Sequence, residues 1–95
     1  MYERILQRFS DRIQNLDYVL TLHAEEEMDE DGLSVFDLES AVLTGEIVER
    51  QRDRLTREWK YVVSGTGTDG GTVGVVGKLS ITGCLVIITV YRVQT

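Results

Sequence analysis

The chain has 95 residues, of which 42% are apolar and 27% charged. This length and composition are typical of one soluble globular domain and exclude a disordered chain. The net charge of −6, taken alone, argues against a nucleic-acid partner, because attraction to phosphate provides much of the affinity for such partners.

The two halves of the chain differ in charge. Residues 1–49 contain three arginines and thirteen acidic residues, a net charge of −10, whereas residues 50–95 contain seven basic and three acidic residues, a net charge of +4. A nucleic-acid partner is therefore a candidate for the second half alone.

A cytoplasmic location and the absence of a metal or cofactor are expected from the rare residue types. One cysteine, Cys84, forms no internal disulfide, and together with the only histidine, His23, it gives no set of soft ligands for zinc. Charges throughout residues 2–16 are unlike a signal peptide. The longest apolar run, residues 85–91, is far below the ~20 residues that span a bilayer, so no membrane partner is expected.

The first segment, residues 1–17, predicts an amphipathic helix. Its apolar residues recur at helical spacing: Ile5, Leu6, Phe9, Ile13 and Leu16. A parallel stripe at intervals of four, either solvated or anion-binding, consists of Arg4, Arg8 and Arg12.

Two more helices are predicted before Gly45. One surrounds His23 after a short extended lead-in at residues 18–21, and ends in the acidic run 25–31, whose spacing does not match the alternating ligands of a calcium loop. The other opens with Ser34 and Asp37, which resemble a capping box.

The apolar pattern after Gly45 changes from helical to alternating spacing. Four strands are predicted, beginning at Ile47 and continuing at residues 59–64, 73–79 and 84–91. The short connections between them indicate an antiparallel meander. We therefore predict a two-layer α+β domain in which three N-terminal helices cover one face of a twisted four-stranded antiparallel sheet.

A glycine pattern between the second and third of these strands has the letters of a nucleotide-binding motif. Gly65, Gly67 and Gly70 match G-x-G-x-x-G, but that motif places phosphate at a helix N-terminus. Here a strand pattern follows, so a hairpin tip is the better interpretation.

Basic and aromatic residues alternate near the start of the sheet. The candidate RNA-binding residues are Arg50, Arg52, Arg54, Trp59 and Lys78. If the first strand continues to Arg54, alternation places the three arginines on one side, where an RNA strand can follow them. The alternative is an edge strand that its charges protect from aggregation.

His23 is the candidate for acid–base chemistry, because histidine titrates near neutrality in its unperturbed state. The alternative is a buried histidine at a helix start that donates one hydrogen bond to the backbone. Sequence alone does not decide between these two interpretations.

Several short motifs follow one another in a familiar order. They are Thr21-Leu22-His23-Ala24, Met28, Gly32-Leu33-Ser34, Asp37-Leu38, Gly45-Glu46-Ile47-Val48-Glu49 and Ile88-Thr89-Val90-Tyr91. Through these motifs, the chain from Tyr18 to Tyr91 resembles an uncharacterised bacterial domain family. The pattern of that family is T-x-H-A, R-M, R-G-I-S, G-x-I-I-E and I-T-V-Y, and the family is grouped with small RelE-like and BrnT-like toxins. The resemblance implies a single domain, with a core of RelE and barnase type in residues 18–95 after the helix of residues 1–17.

The resemblance implies the toxin of a bacterial toxin–antitoxin system: a metal-independent ribonuclease whose active surface a protein antitoxin covers. The catalytic residues that it implies are His23, Lys60, Thr89 and Tyr91. Such cleavage needs a base, an acid and a cation for the developing phosphorane charge.

The chain departs from the family pattern at two arginines. Glu27 precedes Met28 and Asp31 precedes Gly32, where the pattern has R-M and R-G. The lost arginines favour a second hypothesis, a catalytically inert domain that binds a protein partner through its acidic helical face. A homodimer is compatible with either hypothesis.

Overall fold

The computed structural model describes residues 1–94 as three helices and five strands. In chain order they are α1 (Glu3–Gln14), β1 (Tyr18–Leu20), α2 (Leu22–Asp31), α3 (Val35–Thr44), β2 (Glu46–Arg52), β3 (Trp59–Thr66), β4 (Thr72–Leu79) and β5 (Leu85–Arg92). The predicted α+β class and the three helices are confirmed. The four predicted strands are β2 to β5, with ends within two residues of those expected.

The prediction of a four-stranded, wholly antiparallel sheet is wrong, because the sheet has five strands and is mixed. Its order is β1-β5-β4-β3-β2, and β1 pairs in parallel with β5, Tyr18 opposite Leu85 and Leu20 opposite Ile87. The segment predicted as an extended lead-in is thus an edge strand. Three residues are too few to show the alternation that identifies a strand, and a parallel partner leaves no hairpin turn in the sequence.

Local hydrogen bonds explain where α2 and α3 begin. The Thr21 hydroxyl accepts from Ala24 N at 3.1 Å and donates to Ile88 O at 3.1 Å, so it caps α2 and ties it to β5. The capping box of Ser34 and Asp37 is confirmed at the start of α3. None of the helices in residues 1–94 has both the length and the apolar character needed to cross a membrane.

One hydrophobic core lies between the helices and one side of the sheet, which we call the helix face. The helices and the segment between α2 and α3 contribute Phe9, Ile13, Ala24, Met28, Leu33, Leu38, Ala41 and Val42. The sheet contributes Tyr61, Val63, Val73, Val75, Leu85, Ile87 and Val90. Because α1 supplies two buried residues, the N-terminal helix is part of the core and not an appendage.

The other side of the sheet, which we call the open face, carries the residues that alternate with these. In register across it lie Ser64, Gly74 and Tyr91 in one row, and Val62, Val76 and Thr89 in the next. The faces are distinct chemically, since the core occupies only one of them.

A hydrogen bond joins the edge strand β1 to α3. The Tyr18 hydroxyl donates to Glu39 Oε2 at 2.6 Å. Burial and this bond raise the pKa of Tyr18 to about 12, so the phenol remains a donor throughout the neutral range.

Candidate nucleic-acid interface

Two of the predicted RNA-binding arginines lie on β2 beside the only tryptophan of the chain. Arg50 pairs with Tyr61 and Arg52 with Trp59 in the antiparallel ladder, which places them on the helix face at the β2 edge. The guanidinium carbons of Arg50 and Arg52 lie 3.9 and 4.9 Å from the Trp59 ring centroid. These cation–π contacts hold two positive charges against an indole that is 39% exposed.

Tyr2 completes this cluster, although the sequence gives no indication of it. The Arg50 guanidinium lies 5.7 Å from the Tyr2 ring centroid, and Tyr2 meets Tyr61 edge to face at 5.8 Å. Tyr2 is 48 positions from Arg50 and is brought there by the packing of α1. We call the set of Tyr2, Arg50, Arg52 and Trp59 the arginine–tryptophan surface.

The expectation that the strand continues to Arg54 is wrong, because β2 ends at Arg52. Asp53 Oδ1 accepts from the backbone N–H groups of Leu55 and Thr56 at 2.8 and 3.0 Å and turns the chain. These two hydrogen bonds hold the pKa of Asp53 below its usual value, and the bond from Thr56 has the larger effect. The carboxylate is thus committed to the loop backbone.

Arg54 lies in this loop and borders an open cleft of about 330 Å³. Its lining consists of Arg52, Asp53, Arg54 and Arg57. Arg57 adopts a φ of 64°, which is uncommon outside glycine. Among residues 1–94, the arginines at positions 50, 52, 54 and 57 make no ion pair with an acidic side chain, so their charge is available to a ligand.

Lys78 is separate from these arginines. Its neighbour Gly77 pairs with Tyr61 of the helix face, so alternation places Lys78 on the open face. There Lys78 Nζ lies 3.4 Å from Glu58 Oε1, which neutralises it. The five predicted RNA-binding residues therefore divide into a helix-face pair with Trp59, one loop residue and one open-face lysine.

The implied catalytic residues on the sheet lie on the open face. Thr89 and Tyr91 share that face of β5, as alternation predicts. The Tyr91 ring covers Gly74, where a side chain would overlap the phenol. Lys60 lies on β3, two strands from β5, and four residues before Ser64, which is in the same row as Tyr91. The spacing between strands and the rise per residue place Lys60 roughly 16 Å from Tyr91. Lys60 and Tyr91 do not meet.

His23 lies on α2, with its side chain 63% exposed, so the interpretation as a buried histidine is wrong. Its Nε2 is 3.0 Å from Glu27 Oε1. That oxygen is buried and has no hydrogen-bond partner of good geometry among the described residues. The carboxylate of Glu27 thus lies close to the imidazole without forming a well-aligned hydrogen bond to it.

The second departure from the family pattern has a structural role. Asp31 Oδ2 accepts from the backbone N–H of Arg92 at 2.9 Å and thereby joins the end of α2 to the end of β5. The side chain of Arg92 forms an ion pair with Asp69, with 3.1 Å between Nη1 and Oδ2. The pKa of Asp69 is lowered, first by the hydrogen bond from the backbone N–H of Gly71 and second by the positive charge of Arg92. No group of three histidine, cysteine or acidic side chains suited to a metal occurs in the described chain.

The glycine pattern and the single cysteine also have defined positions in the fold. Gly65 lies in β3, and Gly67 and Gly70 lie in the β3–β4 hairpin, where Gly67 N donates to Gly71 O at 2.8 Å. The hairpin interpretation is thus confirmed. Cys84 precedes β5 and is half-buried.

Comparison with known proteins identifies a family. Residues 20–92 match the family described as a domain of unknown function, DUF4258. Neither a curated protein nor a solved structure matches the chain. The match runs from the end of β1 to the end of β5 and includes the hairpin of the candidate interface. Since it covers more than half of the chain, the protein belongs to this family of domains of unknown function.

Proposed function

We propose that this domain binds single-stranded RNA across the β2–β3 hairpin. The observation that carries the proposal is an exposed tryptophan, Trp59, with Arg50 and Arg52 stacked against it and two more arginines in the adjoining loop. None of these four arginines has an ion-pair partner among the side chains of residues 1–94. Guanidinium groups bind phosphates, and an indole provides a platform on which a base stacks, the combination that single-strand binding uses. The domain would act in the cytoplasm.

The position of the acidic residues is compatible with this proposal. The acidic helix α2 packs beside β5, whereas the arginines lie on and after β2, with β4 and β3 between. Charges separated by more than a Debye length, about 8 Å at physiological salt, are largely screened. The negative net charge of the chain therefore does not cancel the local attraction of the hairpin.

Replacement of Arg50 and Arg52 by glutamine is expected to weaken binding of a ten-residue oligouridine. Each lost phosphate contact on a single strand lowers the slope of log K against log salt by about 0.7, so we expect a decrease of about 1.4 for the double variant. Fluorescence anisotropy of a labelled oligonucleotide at several salt concentrations measures both the affinity and the slope.

The matched control for this experiment is Lys78→Gln, which removes one positive charge from the opposite face. It is expected to leave the slope unchanged, because the slope counts phosphate contacts and Lys78 lies on the open face, away from the arginine–tryptophan surface. If the control and the double variant lose equal affinity, the effect is one of net charge and not of the arginine contacts. No binding by the wild-type protein at low salt would refute the proposal.

A metal-independent ribonuclease of the toxin type, in a fold of RelE and barnase type, is the more specific form of this proposal. It is favoured by the exposed imidazole of His23, whose Nε2 lies 3.0 Å from the Glu27 carboxylate. His23 would serve as base or acid, and Thr89 and Tyr91 would contribute hydroxyl groups. Lys60 is too distant from Tyr91 to share a centre with it, so cleavage would take its cation elsewhere.

Induced expression in a bacterial host is expected to arrest growth and fragment RNA, and His23→Ala or Tyr91→Phe to abolish both effects. Lys60→Gln is the matched comparison, and its cleavage rate should stay within about twofold of wild type, since Lys60 lies roughly 16 Å from Tyr91. Normal growth with intact RNA, while folded protein accumulates, would exclude the ribonuclease and leave the binding function.

The second candidate is an inert module that binds a protein partner, such as an antitoxin with a basic segment, through α2. It is favoured by four exposed acids of that helix, Glu25, Glu26, Asp29 and Glu30, which make no ion pair within residues 1–94. This candidate would be supported if a basic partner co-purifies with the wild-type protein and is lost when these four residues are changed to their amides. Retention of the partner by that variant would count against it.

A further inference from the structure

A groove opens at the end of the sheet where the β2–β3 and β4–β5 hairpins turn. Pairing of Tyr61 with Gly77 places both turns at the same end. The groove has a volume of about 480 Å³, in the range of about 300–1,000 Å³ that small-ligand sites occupy. One wall is α1, and the other consists of residues 56–59 and 79–81.

The lining of the groove combines flat apolar surface with positive charge. Ile5, Leu79, Trp59 and Tyr61 supply the apolar part. The cations are Arg8 of α1 and Arg57 of the hairpin loop, and two hydroxyl residues, Thr56 and Ser80, also border the space. Among residues 1–94, Glu58 is the only acid that borders it, and its Oε1 lies 3.4 Å from Lys78 Nζ. The groove therefore favours a ligand that is both planar and anionic.

Two residues connect the groove with the arginine–tryptophan surface. Trp59 lines the groove and also stacks with Arg50 at 3.9 Å. Arg57 lines the groove and also the arginine cleft formed with Arg52 and Arg54. A strand bound along the arginines thus passes directly by the opening of the groove.

We infer that the groove holds one unstacked nucleobase of the bound strand, with Arg8 and Arg57 on its flanking phosphates. This inference rests on the proposed RNA binding and assigns it a nucleotide subsite. An unstacked base needs an aromatic or apolar surface on which to stack and cations for the adjoining backbone, and these are the two features that the groove combines. Arg8, outside the hairpin, is the residue that separates this subsite from the rest of the interface.

Trp59 is the only tryptophan in the sequence, so its fluorescence reports on the groove without a label. The experiment titrates the full-length protein with adenosine 5′-monophosphate, and separately with inorganic phosphate. We expect the nucleotide to quench Trp59 and phosphate at the same concentration not to do so. Arg8→Gln should weaken nucleotide binding about tenfold, the effect of one lost charge-assisted hydrogen bond.

Arg4→Gln is the matched control, because Arg4 is exposed one turn earlier on α1 and does not line the groove. It should leave the titration unchanged. Ile81→Glu, a change at a fully exposed position on the lip, should weaken binding by repulsion of the phosphate. Circular dichroism of each variant verifies that it is folded.

The outcomes separate this inference from the proposed function. If oligouridine binds with the expected dependence on Arg50 and Arg52, while the nucleotide neither quenches Trp59 nor responds to Arg8, the subsite is refuted and RNA binding stands. If oligouridine does not bind, both fail. If an acidic peptide quenches Trp59 with the same dependence on Arg8 and the nucleotide does not, the groove is a peptide site and the inference is wrong.

Discussion

Gly65→Ala is expected to destabilise the domain by about 3 kcal/mol, at the upper end of the usual cost of overpacking. A Cβ at this position of β3 would overlap the carbonyl oxygen of Ala41 in α3. It would also lie 2.6 and 2.8 Å from the carbonyl carbon and Cα of Ala41. All three atoms belong to the backbone, so no change of rotamer relieves the clash and α3 must move away from the sheet.

Urea denaturation followed by circular dichroism measures this loss. Ser64→Ala is the matched control, since it changes the adjacent position on the open face of the same strand and should cost less than about 1 kcal/mol. Substitution of Ala41 by glycine does not remove the clashing atoms and should not rescue the variant. A Gly65→Ala protein as stable as wild type would show that α3 does not pack against β3 at this distance.

Features set by local interactions are those that the sequence predicts well. The capping box needs only Ser34 and Asp37, three residues apart, and it is recognisable without knowledge of the fold. The β1 strand depends instead on a partner at residues 85–87, beyond two helices and three strands. A segment of three residues carries no periodicity of its own, so its place in the sheet follows only from the tertiary structure.

The composition of the candidate interface was predictable, and its geometry was not. Alternation places Arg50 and Arg52 on one side of β2, as expected. Which side they occupy depends on a β-bulge at Val48, where the register shifts between Ile47 and Glu49. Simple alternation from Ile47, which pairs with Val63 of the helix face, would direct both arginines to the open face. The bulge reverses this and brings them to Trp59 and Tyr2.

Asp37→Ala is expected to destabilise the domain by about 2–3 kcal/mol, because it leaves buried donors without an acceptor. Asp37 is only 7% exposed. It accepts from Ser34 N at 2.9 Å, and from Thr68 N and the Thr68 hydroxyl at 2.8 and 2.6 Å. One side chain thus joins the start of α3 to the β3–β4 hairpin, and its loss releases both.

The same hydrogen bonds make stability depend on pH in a defined direction. The backbone N–H of Ser34, followed by the hydroxyl and N–H of Thr68, holds the pKa of Asp37 far below its usual range. Because the pKa of the folded state is the lower one, the stabilisation is complete above the unfolded value of about 4 and is lost as the pH falls below it. Urea denaturation at pH 7, 5, 4 and 3 should therefore show a steep loss of stability in the wild-type protein below pH 4.

Asp37→Asn separates this contribution from the general effect of acid. The amide preserves the shape but neither ionises nor accepts at both positions, so the variant should be less stable at pH 7 and lose less on acidification. Asp29→Asn, at an exposed position of α2, should retain the wild-type pH dependence. Parallel losses of stability in the wild-type and Asp37→Asn proteins would mean that other carboxylates dominate acid unfolding. Because the bonds to Ser34 and Thr68 concentrate the effect on one side chain, we expect the two curves to converge below pH 4.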